Sequence, residues 1–256
     1  MNQNKNTTKF TTIKNIDHIY VVLHKEKEMN KYEKWVNWMN HNNIPSEYVT
    51  FYCYKWGDEL SQADLDSNSY DDGTLVKLFP FRAQFPLKKS EISISINFLN
   101  IFKLGLDKKY NNILVFESDA ILHPDFINIM NKTMDDLLKY KGWHMLSIGC
   151  GMNKHYPNLF KNKNIYRGKE IRCLDSFIIN QSGMKFLIDA IPKVNLPIDE
   201  HFDILVKQNK LDCLWLEPTI VVQGSQVGIN PTTIRYTDSV YVTPQDCKWL
   251  KDVQFK

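Results

Sequence analysis

The stretch NNILVFESDAILHPDF (111–126) runs four apolar residues, Ile113 to Phe116, directly into Glu117-Ser118-Asp119. In an extended chain, side chains at i and i+2 leave the same face, so the two carboxylates are expected to point together, ~6–7 Å apart at a rise of ~3.3 Å per residue. Two unpaired acids that close repel each other, and one becomes hard to ionise. A hard divalent cation removes the conflict, because it prefers oxygen ligands and brings the missing positive charge. Glu117 and Asp119 are therefore candidate metal ligands. The bland alternative is a turn carrying two solvated acids.

The elements around this triplet decide how it is placed. IDHIYVVLH (16–24) reads as a first buried strand, and Tyr32, Trp35, Val36 and Met39 recur at helical spacing behind it. EYVTFYCYKW (47–56) reads as a strand, and SQADLDSNSYDDG (61–73) as an acidic, turn-forming surface loop. Residues 90–106 fit a helix capped by Ser90. ILVFESD is a strand, HPDFINIMNKTMDDLLKY a helix, and WHMLSIG (143–149) a strand followed by a Lys/Asn-rich loop over 152–170. RCLDSFIIN is a strand, QSGMKFLIDAI a helix opened by Ser182, and LPIDEHFDILVKQ a helix started at Asp199. LDCLWLEPTIVVQG supplies a last strand. Tyr20, in a strand of Ile and Val, is expected in the core. Strands alternating with helices imply an α/β fold around a mostly parallel sheet. Ligands of such sheets sit beyond the carboxyl ends of the strands, where Glu117-Ser118-Asp119 lies. One domain over 13–256, after a polar tail over 1–12 expected to be disordered, accounts for the length.

Composition narrows the classes. A net charge of +3 gives no basis for nucleic acid or an anionic membrane as partner. No apolar run reaches the ~18 residues of a membrane span. Cys53, Cys150, Cys173, Cys213 and Cys247 are odd in number and scattered, which suits reduced core cysteines in a cytosolic protein. Lys exceeds Arg by 28 to 4 and Asn is abundant, a bias that fits an AT-rich host or a large DNA virus. The cytoplasm, of a host if the protein is viral, or the virion is the expected location. The chain closes on DVQFK without a retention tetrapeptide, so a secretory-pathway role is not expected.

Three stretches together resemble glycosyltransferase family 25, the bacterial lipopolysaccharide galactosyltransferases and the collagen galactosyltransferases. KSEISISINFLNIF with ILVFESDAILHPDF resembles the family's Gly-Glu-Ile-Gly-Cys…Ser-His helix and its Glu-Asp-Asp strand end. DSFIINQSGMKFL is similar to its strand-then-helix segment with Ile-Ser-x-x-Gly-Ala. LPIDEHFD with PTIVVQGSQVG looks like its Pro-x-Asp segment and closing Pro-x-x-x-x-Gln stretch. IYVVLH resembles its first strand, without the Asn-Leu-x-x-Arg that follows there. Ser90 and Ser93 stand in place of glycines, Asn97 and Phe98 in place of the Ser-His pair, and Ser118 in place of the middle acid.

The resemblance implies a GT-A-like (Rossmann-like) fold, a UDP-sugar donor, Mn²⁺ (or Mg²⁺), and inverting transfer of galactose or glucose to a hydroxyl of a glycan or glycoprotein. The metal, on Asp119 and Glu117, stabilises the diphosphate leaving group. Inverting transfer also needs a base for the acceptor hydroxyl. Asp199 and Glu200 in PIDEHFD are the candidates, against a helix cap for Asp199 and a first-turn acid for Glu200. His201 is a candidate metal or phosphate contact against a structural histidine. Asp175, before the SFIIN strand, is a candidate contact to the donor, against an ordinary loop hydrogen bond. Gln223 and Ser225, beside two glycines that permit close backbone approach, are candidates for holding the diphosphate or sugar, against a plain turn. Two other readings stay open: a catalytically degenerate member that binds glycan or protein, and a phosphate-ester hydrolase with metals among Glu117, Asp119, Asp199, His201 and Asp203.

Overall fold

A computed structural model describes residues 11–84, 87–151, 154–156, 163–225, 227 and 249. Of the expected N-terminal tail only residues 11 and 12 are among them, and the Thr11 N–H donates to the Asn43 carbonyl at 2.9 Å. Cys247 and most of the C-terminal stretch lie outside the described residues.

Strand β1 (His18–Val22) is followed by helix α1 (Met29–His41), β2 (Val49–Tyr52), α2 (Gln62–Asn68), α3 (Thr74–Leu78) and α4 (Lys89–Asp107). Then come β3 (Asn112–Glu117), β4 (Ala120–Leu122), α5 (Phe126–Leu137), β5 (Met145–Ser147) and β6 (Ile165–Arg167). The order closes with β7 (Ser176–Asn180), α6 (Gln181–Ala190), α7 (Ile198–Lys207), β8 (Cys213–Leu216) and β9 (Val221–Gln223).

Seven strands form one sheet in the order β2-β1-β3-β7-β5-β8-β6. β2, β1, β3, β5 and β8 run one way, while β7 and β6 run against their neighbours. The α/β, Rossmann-like expectation of a mostly parallel sheet therefore stands, with two reversed strands. Alternation sorts the side chains. Leu114 and Phe116 pack with Trp35 and Met39 of α1 and Met130 and Met134 of α5. Ile113 and Val115 pack with Phe98 and Phe102 of α4, Met184 and Leu187 of α6, and Phe202 of α7. Tyr20 lies in this second layer, as expected of a core residue. Each face of the sheet is thus sealed by helices, which suits apolar strands. No helix among the described residues is long and apolar enough to cross a membrane.

Several expected elements need correction. Residues 61–73 are not all loop: α2 forms there because Ser61 and Asp64 cap each other's backbone N–H groups. Helix α4 begins one residue before Ser90. Its cap is Lys88, whose N–H is taken by the Glu91 carboxylate at 2.8 Å. Asn180, not Ser182, caps α6, accepting from the Gly183 N–H at 2.8 Å. Pro197 precedes α7, so Asp199 sits inside its first turn and is not the cap. The expected strand over 47–56 shortens to β2, and the loop over 152–170 contains β6. The single last strand is two, β8 and β9, parted at a cis Glu217–Pro218 bond.

Candidate functional site

Strand β3 ends at Glu117, and Ser118-Asp119 form a turn into β4. The extended-chain reason for pairing Glu117 with Asp119 therefore fails at the turn. The two acids are gathered by another device. β4 pairs antiparallel with β9, Ala120 opposite Gln223, and this brings the chain after β9 over the triplet. Gln223 donates from Nε2 to Glu117 Oε2 at 2.7 Å. The Gly224 N–H donates to the Asp119 carbonyl and the Ser225 N–H to Asp119 Oδ2, each at 2.9 Å. Gln223 and Ser225, named from the sequence as donor contacts, thus reach the candidate metal ligands themselves.

β7 lies beside β3, and the ladder continues past Phe116–Ser176 with the Glu117 N–H donating to the Asp175 carbonyl at 2.9 Å. Directly opposed residues of an antiparallel pair share a face. Glu117 and Asp175 accordingly face the layer of α4, α6 and α7, where the first turn of α7 holds Asp199 and Glu200.

The charges here are unbalanced. Burial pushes the Glu117 carboxyl well above the usual carboxylate range; Asp119, Asp175 and Asp199 push it further, and Lys31 opposes them. Glu117 keeps some open surface at the strand end, but the atoms packed round its carboxylate desolvate it. Asp175, only 1% exposed, is pushed up to about 7 by burial, against the Ser176 hydroxyl that donates to its Oδ2 at 2.9 Å. Its Oδ1 is buried without a hydrogen-bond partner. Burial likewise raises Asp199, even though Asp199 Oδ1 accepts the Glu200 N–H at 3.0 Å, and Glu91 and Asp203 add to the rise. Glu200 is raised to about 6 by burial and then by Asp199. Four carboxyls thus act on one strand end, a pattern typical of functional sites.

The middle residue faces elsewhere. The Ser118 hydroxyl donates to Glu28 Oε1 at 2.7 Å and lies 3.0 Å from Lys31 Nζ. Trp35 donates from its ring N–H to the Ser118 carbonyl at 3.0 Å. Ser118 therefore ties the turn to α1, and an acid at this position is not needed on the Glu117 side. Nothing in the sequence marked Glu28 or Lys31, and Trp35 was marked only as a packing residue; all three stand more than eighty residues from Ser118.

Asn97 and Phe98 have packing roles. Asn97 Oδ1 accepts the Tyr54 N–H at 2.6 Å, and Phe98 is fully buried. His201 is lowered to about 4 by burial, its Nε2 lacks a hydrogen-bond partner, and the charge it senses is Asp72. Asp203 accepts the Ile171 N–H at 2.9 Å and pairs with Lys207 at 2.5 Å. Asp203 is thus engaged away from the strand end and the charge acting on His201 is that of Asp72, so among the described residues the hydrolase constellation is not gathered.

Among the described residues, no group of three His, Cys, Asp or Glu is placed to hold a metal ion alone. The strand end still suits a cation that arrives with ligands of its own: two carboxylates each fastened by a donor from the end of β9, an orphaned Asp175 oxygen, and excess negative charge.

No known family model and no curated protein matches the chain. Among solved structures it is similar to the apo form of a UDP-glucose pyrophosphorylase, at 8% identity and a TM-score of 0.38, over 92% of this chain and 82% of that one. A likeness that slight carries no functional argument.

Proposed function

We propose that this protein is a metal-dependent inverting glycosyltransferase that moves a hexose, galactose or glucose, from a UDP-sugar to a hydroxyl on a glycan or glycoprotein. The observation that carries the reading is the strand end itself: Glu117 and Asp119 held by β9 and the turn after it, with Asp175 and Asp199 charging the same place.

In this reading Glu117 and Asp119 would hold a Mn²⁺ or Mg²⁺, which when bound would supply positive charge for the diphosphate leaving group. Gln223 orients Glu117, and the Ser225 N–H orients Asp119. Asp199 accepts the proton of the acceptor hydroxyl. Burial raises its proton affinity, and a more basic carboxylate is the better proton acceptor. Glu200, beside it and also raised, is the alternative base. Asp175, whose carbonyl accepts the Glu117 N–H, is the residue assigned to the donor-sugar side of the site.

The test is donor hydrolysis over a panel of UDP-sugars, with Mn²⁺ or with EDTA, reading released UDP. Release that needs Mn²⁺ and falls by at least ~10²-fold in Asp119→Ala is the expected outcome, the scale of losing a preorganised electrostatic group. A second reading, a degenerate binding module, draws support from Ser118, whose hydroxyl is committed to Glu28 and Lys31. Glycan binding with no UDP release from any donor would favour it.

A further inference from the structure

We propose that Lys31 is a second cationic contact of the donor site, a point charge that grips a phosphate oxygen of the diphosphate. This rests on the transferase reading and deepens it.

Lys31 Nζ carries three N–H donors. One goes to Glu28 Oε1 at 2.6 Å and one to Ser118 Oγ at 3.0 Å. The third has no partner among the described residues. Glu28 does not hold the lysine loosely. Its Oε2 accepts the His24 N–H at 3.1 Å and its Oε1 also accepts the Ser118 hydroxyl at 2.7 Å. Trp35 fixes the Ser118 carbonyl from the same helix. The ammonium is thus pinned by three elements, the β1–α1 loop, α1 and the β3–β4 turn, with 18% of the lysine side chain open.

Its position is what matters. Ser118 is the turn residue between Glu117 and Asp119, and its hydroxyl, on the α1 side of that turn, lies 3.0 Å from the ammonium. The Lys31 charge is felt at Glu117, where it opposes the acids. A diphosphate approaching Glu117, Asp119, Asp175 and Asp199 meets four carboxyls. A fixed ammonium with a spare donor offers a phosphate oxygen a cationic hydrogen bond beside these acids, as lysine does elsewhere as a point-charge phosphate binder.

The experiment is calorimetric titration in Mn²⁺ with three probes: UDP, inorganic pyrophosphate and uridine. The proteins are the wild type, Lys31→Met, Lys31→Arg and Ser118→Ala, each checked for an unchanged melting transition. Lys31→Met is expected to weaken UDP and pyrophosphate about tenfold or more, the scale of one charge-assisted hydrogen bond, with uridine unaffected. Lys31→Arg should recover most of the loss. Ser118→Ala, which unpins the ammonium but keeps its charge, should lose roughly two- to threefold, and it decides the matter if Lys31→Met does not fold. Wild-type UDP affinity in Lys31→Met overturns this inference while leaving the transferase reading intact. Loss of UDP binding with pyrophosphate binding retained overturns it too, because the contact would then not be to phosphate. A wild type that binds neither UDP nor pyrophosphate removes the transferase reading, and this inference with it.

Discussion

Arg172 and Asp175 are three residues apart, 0% and 1% exposed, and they sit in opposite electrostatic circumstances. Arg172 is matched. Its guanidinium donates to Glu217 Oε1 at 2.7 Å, to the Leu216 carbonyl at 3.0 Å and to the Ser147 carbonyl at 3.2 Å, and it lies over the Trp215 ring at 4.6 Å. Glu217 in turn accepts the Tyr156 N–H at 3.1 Å and lies 3.2 Å from His155 Nδ1. Burial raises Glu217, but His155, Arg172 and Tyr156 outweigh it and hold the carboxyl below its usual range. Asp175 has Glu117 and Asp119 for company, Arg172 offsets them and the burial only in part, and one of its oxygens, like Arg172 Nε, has no partner. A buried charge with its counter-charge built in is a structural element. Buried like charges cost stability, and a fold keeps them where something outside the chain supplies the opposite sign.

Removing one member of the matched pair should produce the largest loss. Arg172→Met keeps most of the volume but leaves buried Glu217 with the part-exposed His155 as its remaining ionisable partner, so urea unfolding should register a loss of about 3–5 kcal/mol. The double variant Arg172→Met with Glu217→Gln should recover a substantial part, since no bare charge then remains. Equal losses in the single and the double would mean the pair is held by packing alone, and the contrast with Asp175 would collapse.

The unmatched site predicts the opposite sign and a pH dependence. Asp175 has its carboxyl raised from an ordinary 3.8 to about 7, so the folded chain keeps a proton that the unfolded chain releases. That group therefore favours the folded state fully below about pH 4, and its contribution is lost as the pH rises through about 7. Its size is on the order of 2–4 kcal/mol for a shift of this kind. Urea unfolding of the wild type and Asp175→Asn across pH 4–8 should diverge, the wild type losing stability relative to the variant as the pH climbs. Saturating Mn²⁺ should narrow the divergence if the strand end takes the ion. Parallel curves would show that Asp175 carries no penalty.

The contrast also explains what the sequence could and could not reveal. β1, β3, α1 and α5 were readable because apolar periodicity is a local property of ten or so residues. α2 was readable too, in the Ser61-x-x-Asp64 box, but its acidic, Ser-rich composition masked it. β4, β6 and β9, three residues each, are too short to show a period. The reversal of β7 was invisible because a strand pattern carries no direction, yet that reversal sets Asp175 opposite Glu117. Glu117, Asp119, Asp175 and Asp199 were singled out by residue type and position. The Gln223–Glu117 bond and the Ser118–Lys31 contact join residues about a hundred apart, and no local pattern encodes them.

The smallest predicted effect separates the two regions most finely, because two glycines lie between them. A Cβ at Gly149 would stand 2.6 Å from Asp175 Cγ and 2.6 Å from Ser176 Oγ, both side-chain atoms. A Cβ at Gly151 would collide with the backbone carbonyl of Arg172 and stand 2.8 Å from Cys173 Sγ. Gly149→Ala should cost about 1–3 kcal/mol, the ordinary range for forcing an extra carbon into packed space. That cost should shrink in Asp175→Ala, where the obstructing carboxylate is gone. The double-mutant cycle should then give a coupling of roughly 1 kcal/mol or more, since the two residues are in contact. Gly151→Ala should show no such coupling with Arg172→Met, because the obstacle is the peptide carbonyl, which that substitution leaves in place. Additive costs at Gly149 and Asp175 would mean that the carboxylate yields freely to the new methyl group. The acid would then be loosely seated, and its suitability for holding a donor sugar would be lost.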